Sequence, residues 1–238
     1  MRIERTKTGV RLRHGRHLIS ELPGRPGPTH SVFDVLAAAA VAVAPRAAGR
    51  LAMLGFAAGG TVAPLRGLGF SGRIEAVDLS LAAVPAFRRV ARGWAGEVTI
   101  DRADALAWLA ARGGRFDVVL EDLSVAVPGD VTKPRVSWER LPERMARKLS
   151  ARGAVIVNVL PVAGLPWTEL LRRIAAPFRE GRVLHLDEFE NRLLIVGRSL
   201  PPARRLRSLV EAHLRALGSR QAGRIHVRTL PRGRALPT

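Results

Sequence analysis

The sequence predicts an α/β fold: a parallel sheet with helices on both faces, entered through a small N-terminal β-hairpin. Three observations carry this prediction. From Arg50 onward, short apolar runs alternate with helical stretches five times in succession. Glycines gather where the first run turns into a helix. Two neighbouring apolar runs, 183–189 and 192–198, close the series around a tight turn at Glu190-Asn191.

The elements follow in order. Residues 9–20 alternate around His14-Gly15 and read as a hairpin. Residues 21–30 hold three Pro and two Gly and form a linker. Ser31 caps a helix over 32–44, which Pro45 ends. Strands are expected at 51–56, 74–79, 98–100, 116–123 and 154–160. Helices are expected after Gly59-Gly60 to residue 69, with Thr61 as its cap, and over 81–94, 105–112, 138–149 and 165–178. An amphipathic helix at 203–217 and a strand at 224–229 finish the chain, and no internal repeat is visible. Five βα units followed by a hairpin is the arrangement of class I methyltransferase (Rossmann-like) folds, seven strands with the last antiparallel. Three segments result: 1–30 as hairpin and linker, 31–199 as the Rossmann-like domain, and 200–238 as a basic helix and tail. Connection rules place a ligand crevice at the carboxyl ends of the first strands.

Composition narrows the classes. The 238 residues include no cysteine. That excludes a disulfide framework, a thiolate zinc site and a cysteine nucleophile. No apolar run reaches the roughly 18 residues of a spanning helix, and the N-terminus lacks the apolar block of a secretory signal. A cytoplasmic location without membrane attachment is the expectation. The formal charge is +19, and it is concentrated at the ends: net +5 over 1–30 and net +9 over 198–238. Basic ends attract polyanions, nucleic acid above all. However, 36 of the 39 basic residues are Arg, a bias that a GC-rich coding sequence also produces. No Phe, Tyr or Trp follows Phe189, so base stacking by the tail has no support. A solvated basic surface is the plainer interpretation.

Four candidate positions fall on consecutive βα units. Gly55, Gly59 and Gly60 lie in the first turn, where a backbone approaches a ligand closely or packs tightly. Asp78 ends the second strand, 23 residues after Gly55. A carboxylate at that distance accepts from both hydroxyls of a ribose, or else caps the next helix. Asp104-Ala105 follows the third strand, where an acid accepts from an adenine amino group or caps a helix. Asp122 ends the fourth strand beside Glu121. One of this pair faces the cleft, where a carboxylate acts as a base or binds a cationic group. Together they point to an adenosine-type ligand, S-adenosylmethionine or a relative. The six histidines form no metal-ligand pair at helical spacing, so no metal is expected. His30 reads as a surface or helix-entry residue, with a cap over the cleft as the alternative, and Asp34 faces either cleft or solvent.

The stretches LGFAAGGTVAPLRGLGFSGRIEAVDLS, VTIDRADALAWL and RFDVVLEDLS resemble the spermidine synthase (polyamine aminopropyltransferase) family, and the resemblance covers roughly 9–199. It implies a methyltransferase-type domain behind a small β-domain and metal-free transfer of an aminopropyl group from decarboxylated S-adenosylmethionine to an amine. It also implies that Gly55, Gly59 and Gly60 line the cofactor, Asp78 holds the ribose, Asp104 the adenine, and Asp122 the attacking amine. The chain departs from the family at several points. Phe56, Ala57 and Ala58 replace Gly, Gly and Asp. Val125 replaces the second gate aspartate, and the chain contains no tyrosine. A methyl or aminopropyl transferase with a small-molecule acceptor is the leading expectation. The alternatives are a non-catalytic nucleoside- or partner-binding member of the same fold, and a nucleic-acid-binding protein using its Arg-rich ends. A homodimer is left open.

Overall fold

The computed structural model describes residues 2–6, 9–14, 17–128 and 130–231. Arg2–Arg5 (β1), Gly9–His14 (β2) and His17–Pro23 (β3) form an antiparallel sheet in that order. β1 adds a strand to the expected hairpin, with Ile3 opposite Leu12. The turn expected at His14-Gly15 runs into residues outside the described ones.

Val32–Val43 (α1) begins where the Ser31 side chain accepts from the Phe33 amide, and it stops before Pro45. Then come Leu51–Leu54 (β4), Val62–Gly67 (α2), Ile74–Asp78 (β5), Val84–Val90 (α3), Val98–Arg102 (β6), Ala105–Ala111 (α4) and Phe116–Glu121 (β7). Thr61 was expected to cap α2, but its side chain makes no cap bond. Its backbone is already helical, and the turn is closed by the Val62 amide on the Gly59 carbonyl at 2.9 Å.

A hairpin of Val125–Val127 (β8) and Asp130–Thr132 (β9) follows. The single helix expected over 138–149 is two, Val136–Glu139 (α5) and Leu141–Lys148 (α6). Arg140 leaves helical φ at −123°, and Pro142 has no amide to continue the first helix. The chain ends with Leu149–Val159 (β10), Trp167–Ala175 (α7), Glu180–Leu186 (β11), Arg192–Gly197 (β12), Ala203–Leu217 (α8) and Ile225–Thr229 (β13).

The main sheet has the order β13-β11-β12-β10-β7-β4-β5-β6. The five strands from β10 to β6 are parallel, and β12, β11 and β13 pair antiparallel. This is the expected seven-stranded sheet with β13 added at its edge. Strand residues alternate between two cores, as period-2 geometry requires. Met53, Leu120 and Ile195 face α1, α2, α3 and α8, while Leu54, Val119 and Val196 face α4, α5, α6 and α7. Strands buried on both faces explain the unbroken apolar runs in the sequence. β4 and β7 lie side by side, and the chain winds away from them in both directions. A crevice therefore opens above their carboxyl ends.

Candidate functional site

A hollow of about 510 Å³ lies there. Its floor is Gly55, Asp78 and Asp122, from the ends of β4, β5 and β7. Ile3, Leu12 and Ile19 of the N-terminal sheet close one side, and Ala126 and Val131 of the β8–β9 hairpin close another. The small sheet is fastened to the turn by the buried Gly60 amide, which donates to Ser20 Oγ at 3.0 Å.

The turn after β4 has a defined shape. Gly55 has φ +88°, and a Cβ there would meet the Asp122 carbonyl oxygen at 2.6 Å, so only glycine fits. Phe56 turns away from the hollow. It is buried and meets Phe87 edge-on at 4.9 Å, leaving the turn unplugged. Gly59 and Gly60 are not among the lining residues. A Cβ on Gly59 would meet the Phe56 and Phe87 rings, and one on Gly60 would meet Ser20 Oγ. Both glycines let the turn pack against its surroundings.

Asp78 lines the hollow and also ties the turn. Its Oδ2 accepts from the amides of Phe56 at 2.9 Å and Ala57 at 2.8 Å, and its Oδ1 accepts from Ser80 at 2.9 Å. Oδ2 is thus saturated and Oδ1 keeps one lone pair. One ribose hydroxyl can be held without disturbing the turn, where the sequence suggested two. Asp104 and Ala105 do not line the hollow. Asp104 Oδ1 caps α4 through the Ala107 amide at 3.0 Å, and Ala105 is buried in the core beneath α4, α5, α6 and α7. Asp34 faces neither cleft nor solvent. It is buried and accepts from Thr29, His30 and Ser219, which anchors the Pro-Gly segment.

Asp122 is the carboxylate of the hollow whose proton affinity its surroundings change. Its pKa is raised to about 6, first by burial, with the neighbouring charges of Glu121 and Asp78 adding to the shift. Asn158 opposes this by donating to Oδ1 at 2.7 Å, and Lys133 opposes it through its charge. Asn158 is itself fixed by Asn191, whose amide donates to its Oδ1 at 2.8 Å. Of the acidic pair at the end of β7, Asp122 faces the hollow and Glu121 is fully buried. Glu121 pairs with Lys133 at 2.9 Å. The Lys133 ammonium also donates to the carbonyls of Leu123 at 3.0 Å and Asn158 at 2.6 Å, so it holds two backbone acceptors beside its charge partner. This joins the end of β7 to β10 and fixes the two strands that carry Asp122 and Asn158.

Asn158 and Lys133 were not singled out from the sequence. Asn158 had a signal, a lone polar residue inside the apolar run AVIVNVL. Lys133 had none. Among the described residues, no three or more His, Asp or Glu gather to hold a metal ion. Among them too, no helix is long and apolar enough to cross a membrane.

Sheet order, switch-point hollow and strand-end acids define a class I methyltransferase fold. Within it, the chain is similar to a probable spermidine synthase from Corynebacterium glutamicum, at TM-score 0.75 and 16% identity over 95% of this chain and 86% of that one. It is also similar to human methyltransferase-like protein 13 in complex with SAH, at TM-score 0.60 and 19% identity over 80% and 92%. A spermidine synthase in complex with the transition-state analogue AdoDATO gives TM-score 0.61 and 13% identity over 86% and 70%. No family model matches the chain, and no curated protein matches it in sequence.

Proposed function

We propose that the chain is a transferase using S-adenosylmethionine or its decarboxylated form, and that it moves a methyl or aminopropyl group to a small acceptor. The observation that carries this is the meeting of Gly55, Asp78 and Asp122 in one hollow at the switch point, with the Asp122 carboxyl raised to about 6. The fold likeness to a probable spermidine synthase and to methyltransferase-like protein 13 supports it. A bound sulfonium donor supplies an electrophilic carbon. Asp78 Oδ1 holds one ribose hydroxyl, and the Gly55 turn lets the nucleoside approach the backbone. Asp122 orients the acceptor and takes its proton as the acceptor's lone pair attacks the donor carbon; the carbon–sulfur bond breaks, its electron pair goes to sulfur and a neutral thioether nucleoside leaves, while Asn158 fixes the carboxylate plane.

Titration calorimetry with S-adenosylmethionine, its decarboxylated form and the product nucleosides tests the first half. Binding by one of them, weakened at least tenfold in Asp78→Ala, is expected. No binding by any at millimolar concentration overturns the reading. A non-catalytic nucleoside-binding reading is favoured by Val125, which leaves one carboxylate where the family has two. Nucleoside binding with no acceptor-dependent product release would select it.

A further inference from the structure

We infer that the acceptor is a monoamine carrying an apolar alkyl or aryl body, and not a diamine or polyamine. This rests on the transferase reading above and names the substrate class of that same hollow.

Two carboxylates line the hollow, and they are not equivalent. Asp78 already accepts three backbone amides. Asp122 accepts one side-chain amide and keeps lone pairs free for a ligand. One free carboxylate matches one ammonium group. Among the described residues no Lys or Arg lines the hollow, so an anionic acceptor finds no partner among them.

The remaining wall is mostly apolar, with the hydroxyls of Ser80 and Ser124 as its polar exceptions. Leu123, Ala126 and Val131 stand on the Asp122 side, and Ala126 and Val131 face each other across the β8–β9 pair. Val125 flanks Ala126 and is exposed, so strand alternation points it away from the lining. The apolar character continues outward. Among the described residues, the large apolar side chains that stand exposed are Ile3, Leu79, Val125 and Val127. The first two line the hollow, and the last two belong to the hairpin at its side. Exposed apolar groups at the mouth, here Ile3 and Leu79, mark a binding surface. The body of a monoamine covers these two, whereas the second ammonium of a diamine would lose water there without gaining a carboxylate partner.

Donor binding is measured first, by calorimetry. Donor-dependent release of the product nucleoside is then compared for hexylamine and 2-phenylethylamine against 1,6-diaminohexane and putrescine at pH 8. The expected kcat/KM for hexylamine is at least tenfold above that for 1,6-diaminohexane. Ala126→Asp places a second carboxylate in the lining, and it is expected to narrow or reverse that ratio. Bound donor with diamines preferred, or with no amine turned over, overturns the inference and leaves donor binding standing. Absence of donor binding defeats the transferase reading itself, and this inference with it.

Discussion

Asp122 combines two properties that pull against each other. Its carboxylate is costly to bury, and its proton affinity suits a base near neutral pH. The folded-state pKa of about 6 lies above the ordinary aspartate value of 3.8. The folded chain therefore holds the proton more tightly, and stability falls as pH rises from about 4 to about 6. Asp122→Asn is expected to raise stability at pH 8 by about 1–2 kcal/mol, after allowance for solvent in the hollow. The gain should vanish below pH 4, where both side chains are neutral, and denaturant titrations at the two pH values check this. The same variant should lose at least 100-fold in turnover, and wild-type turnover should rise through about pH 6. Ala57 is a second strained point, a non-glycine residue at φ +50° on the lining. Ala57→Gly is expected to stabilise the fold by up to about 1 kcal/mol, read as a rise in Tm. At this scale the strand-end acids were legible, because a carboxylate after an apolar run stands out. The partners of Gly59 and Gly60 were not, since Phe87 and Ser20 come from elsewhere in the chain.

Between the end of β7 and β10, a fully buried ion pair does the work of a clamp. Lys133 and Glu121 neutralise each other and each bonds the neighbouring backbone, so removing one partner strands a charge. Lys133→Met is expected to cost about 3–5 kcal/mol. The double variant Lys133→Met, Glu121→Leu should recover most of that loss. Donor affinity should survive in the double variant, because Asp78 lies on β5, while turnover drops as Asp122 and Asn158 lose their shared anchor. Chemical denaturation beside calorimetry separates the two effects. Elements with strong periodicity were legible, and α8 has the bounds its apolar spacing gives. β1 and the β8–β9 hairpin were not legible. They are short and partly exposed, and pairing across a turn forms them more than an internal pattern does.

The whole molecule depends on its C-terminal segment more than the charge of that segment implies. Residues 200–238 look like a basic appendage, with Arg on most of their polar positions. Yet α8 sends Leu206, Val210 and Leu214 into the core it shares with α1, α2 and α3, one stripe at spacings of four, and packs along α1. β13 extends the sheet beside β11, and Ser219 Oγ donates to the buried Asp34 at 2.6 Å. The exposed arginines on the outer face of α8 give that helix solubility, and its inner face completes the layer over the sheet. Leu214→Ala is therefore expected to cost about 2–5 kcal/mol, as buried leucines do. A chain ending at residue 199 should expose the α1 face and leave Asp34 short of a donor. It should lose cooperative unfolding, bind a hydrophobic dye and fail to bind donor, although no residue of the hollow has been removed. A truncated chain that unfolds as sharply as the full one and binds donor equally would show the C-terminal segment to be an ornament, with the ligand hollow supported by the sheet alone.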